Sequence, residues 1–168
     1  FTSRTKEICH EIQEKTKEVM GFDVSMGIGK WVKKPEELIQ SHDMAAQTLQ
    51  YRYLLGGNLL IDMEEQHPVQ EIAIEDDLAE LKAMKTGQKE QVYQILIKIE
   101  DSIRQALMEK SRACMYLQQV IRTMDNACED VSADMDRIRE DRDELLRQIT
   151  DQKFFEDACK VVQKHTDR

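Results

Sequence analysis

The pattern of hydrophobic and polar positions predicts a helix and then a strand at the start of the chain. Residues 3–20 carry Ile8 and Ile12 among charged side chains, a helical spacing that predicts a short amphipathic helix. Gly21 is expected to end this helix. Residues 22–29 then alternate apolar with small or polar side chains, which predicts a strand. Its two glycines indicate a bend or a close approach of another backbone.

A second helix and a second strand are predicted next. Helical spacing extends from about Pro35 to Leu55, the diglycine at 56–57 should end the helix, and residues 58–63 read as an apolar strand. The predicted apolar face of the helix consists of Leu38, Ile39, Met44 or Ala45, Leu49 and Tyr53. This order is typical of part of an α/β sheet layer. Because two strands rarely make a stable domain, we expect either that the remaining strands lie upstream of Phe1 in a longer protein or that this segment repacks without them.

From residue 88 to the end, 81 residues contain neither Gly nor Pro, and their apolar spacing is helical. On alternating steps of four and three from residue 92 to residue 148, 13 of 17 positions are apolar, which supports a coiled-coil hypothesis. The alternative is a bundle of shorter helices, which we favour, with breaks at 125–126, 130–132 and 150–151. The candidate interaction stripe is Val92, Leu96, Ile99, Ile103, Leu117, Val120 and Met124.

Composition narrows the class of protein. Charged residues make up 34% and aromatic residues 5%, and there are only six Gly and two Pro, too few turn residues for an all-β sandwich or barrel. Periodic apolar residues argue against disorder, and a run of apolar residues long enough to span a membrane is absent from the sequence. The net charge of −9 makes the chain a poor nucleic-acid binder by itself. Eight acidic residues between 62 and 81 are better explained by a linker and helix start than by a cation site.

The chemical motifs that identify enzymes are missing from the sequence. It contains no nucleophile elbow, phosphate loop, zinc-protease motif or dinucleotide fingerprint, so we expect no catalytic residues and no bound cofactor. The four cysteines have no metal-ligand spacing and the four histidines are scattered, so we expect no metal site. Reduced, buried thiols in a cytoplasmic protein account best for the cysteines.

Several short segments match one family pattern. Val24-Ser25-Met26-Gly27-Ile28-Gly29 precedes Ser41-His42-Asp43-Met44-Ala45, Leu49-Gln50-Tyr51-Arg52 and finally Gly56-Gly57-Asn58. The order resembles the middle region of AraC-type response regulators, where an SIGIG strand precedes an SYxxAxxALxYR helix and a closing GxN. His42 stands where that family usually has a tyrosine. The motif match covers about residues 22–63. The resemblance implies a degenerate GGDEF-like lobe and a helical segment between a receiver domain and an AraC DNA-binding module.

The same residues are distantly similar to the second half of diguanylate cyclase domains, with departures that matter. Tyr53 stands at the position of the cyclase helix's phosphate-contacting lysine, and Gly57 stands at the arginine of its GRN turn. A neutral side chain at either place cannot hold a triphosphate. The resemblance therefore implies a non-catalytic scaffold and argues against an active cyclase.

The resulting expectation is a mainly α protein with a small α/β part. We assign residues 1–67 to the C-terminal part of a GGDEF-like lobe, 68–87 to an acidic linker and short helix, and 88–168 to a helical regulatory segment, either a bundle or a coiled coil. The expected function is non-catalytic signal relay in a cytoplasmic regulator. Expected partners are a second copy or the receiver and helix-turn-helix modules. DNA would be contacted only through a module outside this chain, and no membrane contact is expected. The alternatives are a helical sensor of a small molecule and a coiled-coil dimerisation module.

Overall fold

A computed structural model describes residues 2–65, 74–83, 89–129 and 135–167. The chain divides into two compact units, Phe1–His67 and Pro68–Arg168. It is mostly helical and contains one two-stranded parallel sheet, which confirms the mainly α composition with a small α/β part. Much of the acidic stretch (66–73), the predicted break at 130–132 and the side chain of Cys128 lie outside the described residues.

The first unit begins with a helix and contains both strands. Its elements are helix α1 (Thr2–Met20), strand β1 (Met26–Ile28), a 3₁₀ turn (Pro35–Glu37), helix α2 (Leu38–Thr48), a 3₁₀ turn (Leu49–Tyr51), helix α3 (Arg52–Leu55), strand β2 (Leu60–Asp62) and a 3₁₀ turn (Met63–Glu65). The two strands run parallel, with Gly27 opposite Ile61. Both strands are shorter than the sequence pattern predicts, and the predicted helix from Pro35 to Leu55 alternates between α and 3₁₀ geometry.

Gly27 in β1 and Gly29 just after it let helix α2 pack directly on the strand. A Cβ atom at Gly27 would lie 2.3 Å from the carbonyl oxygen of Ala45, and one at Gly29 would lie 2.0 Å from that of Ser41. Neither distance leaves room for a side chain, so the close backbone approach that the two glycines predict is present.

This close packing also explains where the predicted apolar face of α2 is wrong. Leu38 is 59% exposed and Ile39 is 72% exposed, whereas Thr48 and Tyr53 are buried. Helix α2 places the small residues Ser41 and Ala45 against the glycines of β1. The two large aliphatic residues at its start are therefore left at the surface.

Within its described residues, the second unit contains five helices packed on one another. They are α4 (Ile74–Ala83), α5 (Lys89–Gln105), α6 (Lys110–Glu129), α7 (Met135–Asp151) and α8 (Phe155–Thr166). Helices α4 and α8 each pack against both α5 and α6, and α7 packs against α6 and α8. The fully buried residues include Ile74, Ile95, Ile99, Ile103, Val120, Ile121, Ile149 and Phe155. The single continuous helix that a coiled coil would need is interrupted at 106–109 and at 152–154.

Two features of the helix ends differ from the sequence expectation. Helix α6 continues through the predicted break at 125–126 as far as Glu129. The turn after α5 is instead made by Leu107, whose φ of 48° lies in the left-handed region that usually requires glycine. The amide of Met108 bonds the carbonyl of Ile103 at 3.4 Å, and the amide of Leu107 bonds that of Arg104 at 3.1 Å. Burial of Leu107 and Met108 offsets the backbone cost, which is of order 1–2 kcal/mol for a left-handed residue.

Of the helices that the structure describes, none has the length and apolar character needed to cross a lipid bilayer.

Candidate functional site

A cavity of about 480 Å³ in the first unit lies where the two parallel strands end. Its apolar wall includes Cys9 of α1, Ile28 of β1 and Leu38 of α2. Asp62 and Glu64 at the end of β2 line it on another side. In open α/β sheets the carboxyl ends of parallel strands are the usual place for a ligand, because the backbone leaves a crevice there. We therefore take this cavity as the candidate functional site.

Of the two acidic residues that line the cavity, Asp62 is held by contacts within the protein itself. Lys6 of α1 forms ion pairs with Asp62, at 3.2 Å between Nζ and Oδ2, and with Glu65. The hydrogen bond to Glu65 is the main cause that raises the pKa of Lys6. The Oδ1 atom of buried Asp62 accepts the backbone N–H of Glu64 at 3.1 Å. Both Asp62 oxygens thus have partners, which suits a structural carboxylate better than a general base or metal ligand.

A metal centre is not assembled by the side chains that the structure describes. Among the described side chains, which leave out 127–140, no three His, Cys, Asp or Glu residues lie together in a group that could hold a metal ion. Cys114 and Cys159 are buried thiols, and Cys9 is a half-buried thiol.

A basic segment borders the cavity after β1. Residues 30–34, here called the basic loop, contribute Lys30, Trp31 and Val32 to the cavity lining, and Lys33 and Lys34 are exposed. At these lysines the sequence pattern predicts only a break between the strand and the next helix. The signal that identifies the loop is charge density, because 30–34 is the one five-residue window in the sequence with three Lys or Arg and no acidic residue.

The candidate interaction stripe lies mainly in the interior of the helical unit. Leu96, Ile99 and Ile103 on α5 and Leu117 and Val120 on α6 are all buried, and Val92 and Met124 are half-buried. The two parts of the stripe contribute to one core, because α4 and α8 each pack against both α5 and α6. The five buried side chains of the stripe belong to the core of the helical unit.

Helix α8 is joined to its neighbours by buried polar contacts. His165 Nε2 lies 2.7 Å from Asp125 Oδ1 on α6, and both side chains are mostly buried. In the described part of the chain, the remaining atoms of this pair, Asp125 Oδ2 and His165 Nδ1, have no hydrogen-bond partner. On α5, Glu100 accepts a hydrogen bond from Gln163 Nε2 at 3.1 Å. Sequence reasoning missed these contacts because they join residues 40 and 63 positions apart.

Two ionisable groups at the α5–α8 contact are perturbed by burial. Burial raises the pKa of the Glu100 carboxyl, and the hydrogen bond from Gln163 offsets part of that effect. Burial, together with the nearby Glu100 carboxylate, also raises the pKa of the Cys159 thiol far above its usual range. A thiol so far from ionisation is inert as a nucleophile.

Comparison with known proteins identifies no relative of this chain. No family model matches the chain, and no curated protein or solved structure matches it. The sequence motifs and the geometry of the two units are therefore the basis for assigning a function.

Proposed function

We propose that this chain is a non-catalytic signal-relay and interaction segment of a cytoplasmic AraC-type transcriptional response regulator. It would couple a signalling domain to a DNA-binding module outside the chain. The observation that carries the proposal is that the motif glycines occupy positions that need them. Gly27 and Gly29 have no room for a side chain against α2. In the closing GxN segment, Gly56 and Asn58 have φ values of 100° and 57°, in the region that glycine and asparagine tolerate best.

The exposed apolar residues support the assignment of residues 1–67 to the C-terminal part of a degenerate GGDEF-like lobe. Among the described residues, ten of the twelve large hydrophobic side chains that are exposed lie in this first unit. They include Ile8, Ile12 and Val19 on α1, together with Phe22 before β1. A soluble domain rarely exposes so much apolar surface unless another segment covers it. We infer that further strands of the same lobe pack on this unit in the full regulator.

The lobe is proposed to be non-catalytic because the cationic side chains of a cyclase are replaced. Tyr53, at the place of the phosphate-contacting lysine, is a buried phenol. Gly57, at the place of the turn arginine, has no side chain to offer a phosphate. Charge-assisted hydrogen bonds from lysine or arginine are the usual means of holding a triphosphate.

The helical unit is proposed to carry the signal by changing how its helices pack. Helix α8 contacts α5 through Gln163 and Glu100, and α6 through His165 and Asp125. Separating such polar contacts inside the unit costs free energy, so the contacts favour particular packing arrangements of α8 over others. A shift of α8 relative to α5 and α6 would reposition a helix-turn-helix module attached beyond it. Self-association of the helical segment is the second means by which the signal could reach DNA.

The test is the DNA affinity of the full-length regulator before and after treatment with a small phosphodonor. We expect phosphorylation to change the affinity, and Gly29→Ala to abolish that change while receiver phosphorylation stays at the wild-type level. Gln40→Ala on the exposed face of α2 is the matched control and should behave as wild type. DNA affinity that is insensitive to phosphorylation, or synthesis of cyclic di-GMP by the full-length protein, would contradict the proposal.

A further inference from the structure

We propose that the basic loop and the cavity beside it form a docking site for an acidic amphipathic peptide segment of a partner protein. The inference does not depend on the relay function, because it uses only the charge and geometry of residues 28–41 and their neighbours in the first unit. It assigns a partner chemistry to a surface that the relay proposal leaves unused.

The charge of the loop differs sharply from that of the rest of the chain. Lys30, Lys33 and Lys34 are all exposed, on a chain whose net charge is −9. A local positive cluster on an acidic protein attracts an acidic segment while the remaining surface repels other anions. The cluster therefore specifies where on the protein such a segment would bind.

Exposed apolar side chains lie beside these lysines. Trp31 is 62% exposed, and it lines the cavity together with Leu38, which is 59% exposed. Tryptophan at the edge of a pocket is the residue type that most often dominates binding energy at protein interfaces. The cavity of about 480 Å³ lies within the range of pockets that hold drug-sized ligands, so it has room for a large apolar side chain of the partner.

The backbone of the loop is held in place by two hydrogen bonds from outside it. Ser41 Oγ on α2 donates to the carbonyl of Lys30 at 2.7 Å, and the Lys33 amide donates to Glu37 Oε2 at 3.4 Å. A loop whose backbone is already anchored loses less conformational entropy when it binds. The lysine and tryptophan side chains are thus presented from a preformed surface.

The acidic residues around the cavity favour a peptide over a nucleic acid. Glu64 lines the cavity, and Glu36 and Glu37 follow the loop after Pro35, so a phosphate backbone, which carries a charge at every nucleotide, would meet repulsion wherever it extends past the three lysines. A peptide can place its carboxylates opposite the lysines and its apolar side chain in the cavity.

Trp31 allows a direct test, because it is the only tryptophan in the chain. The probe is a synthetic amphipathic peptide that carries glutamates on one face and leucine and phenylalanine on the other. It is added in increasing concentration to the whole chain. We expect a blue shift of the tryptophan emission with a dissociation constant in the range of about 1–100 μM. The affinity should fall about tenfold or more between low and high salt, because the contacts with lysine are exposed to solvent.

Charge-reversal variants distinguish an effect of the basic loop from an effect of the net charge of the chain. The triple variant Lys30→Glu, Lys33→Glu, Lys34→Glu should weaken peptide binding at least about tenfold. The matched control, with the same change in net charge, reverses three other exposed lysines: Lys15→Glu, Lys82→Glu, Lys153→Glu. It should bind within about twofold of wild type at moderate salt. A variant with glutamine at the three loop lysines should also bind the peptide more weakly. Its circular dichroism should equal that of the wild type, which shows that the loss of binding is not a loss of folding.

Four outcomes would overturn the proposal. The first is no shift of the Trp31 emission up to about 1 mM acidic peptide. The second is equal binding of a peptide in which lysine replaces every glutamate. The third is tighter binding of a single-stranded oligonucleotide or of anionic phospholipid vesicles than of the acidic peptide. The fourth is equal loss of affinity in the loop variant and the control variant.

Discussion

Replacement of Ile99 by alanine is the most informative change in the helical unit. Ile99 has 0% exposure on α5, so the substitution removes a fully buried branched side chain and leaves a cavity. Such replacements cost about 2–5 kcal/mol, the sum of lost transfer free energy and lost packing. That is a large part of the roughly 5–15 kcal/mol stability of an ordinary domain. At about 4–8 °C per kcal/mol for a unit of this size, the melting temperature should fall by roughly 10 °C or more.

Ile97 provides a matched control two residues away on the same helix. It is 47% exposed, so Ile97→Ala removes the same atoms from a position that is only partly shielded from water. We expect Ile97→Ala to cost less than about 1 kcal/mol. The assay is urea unfolding of the whole chain followed by far-ultraviolet circular dichroism, with analytical ultracentrifugation of each variant. Equal costs for the two substitutions, or a change of mass with unchanged stability in Ile99→Ala, would refute the placement of the stripe in the core.

Three further predictions concern other contacts. Gly29→Ala places a Cβ about 2.0 Å from the Ser41 carbonyl and should destabilise the first unit by about 1–3 kcal/mol or more, measured by urea unfolding; an unchanged midpoint would contradict the strand–helix contact. Burial raises the pKa of Glu100 above its ordinary value of 4.5, so ionisation of this carboxyl lowers the stability of the wild type as pH rises. The free energy of unfolding of Glu100→Gln should therefore increase relative to that of the wild type from pH 4.5 to neutrality. A difference between the two proteins that does not change with pH would contradict this. With the other two cysteines replaced by serine, a thiol reagent should modify half-buried Cys9 readily and Cys159 only after unfolding, because burial holds the Cys159 thiol protonated; equal rates in the native protein would contradict this.

Much of the secondary structure was predictable because it depends on local pattern. Helix α1 has charged residues between regularly spaced aliphatics, and its extent of Thr2–Met20 agrees with the predicted 3–20. The glycines of β1 predicted a close backbone approach, which the packing of α2 confirms. These features depend on side chains within a few positions of one another, so the sequence alone contains the relevant information.

The parts that sequence pattern did not predict depend on contacts distant in the chain. The turn after α5 contains no glycine, and it forms because Leu107 accepts a left-handed conformation while its side chain is buried. That turn separates the two parts of the candidate interaction stripe onto α5 and α6, a break that the sequence pattern does not locate. At the cavity, Lys6 and Asp62 lie 56 positions apart and become neighbours only when α1 packs near the end of β2. A period of four and three cannot distinguish a core shared by several helices from a seam between two long ones.

Hydrogen exchange on the full-length protein, before and after phosphorylation of the receiver domain that the proposal expects in it, tests the relay proposal most directly. Amide exchange reports local opening of helices, so a change in packing of α8 against α5 and α6 alters protection in those helices. The account predicts a change in exchange for peptides covering α5 and α8 that disappears in the Gly29→Ala variant. Identical exchange of this chain in the two states, together with a change in DNA affinity, would show that the signal bypasses it and would contradict the account.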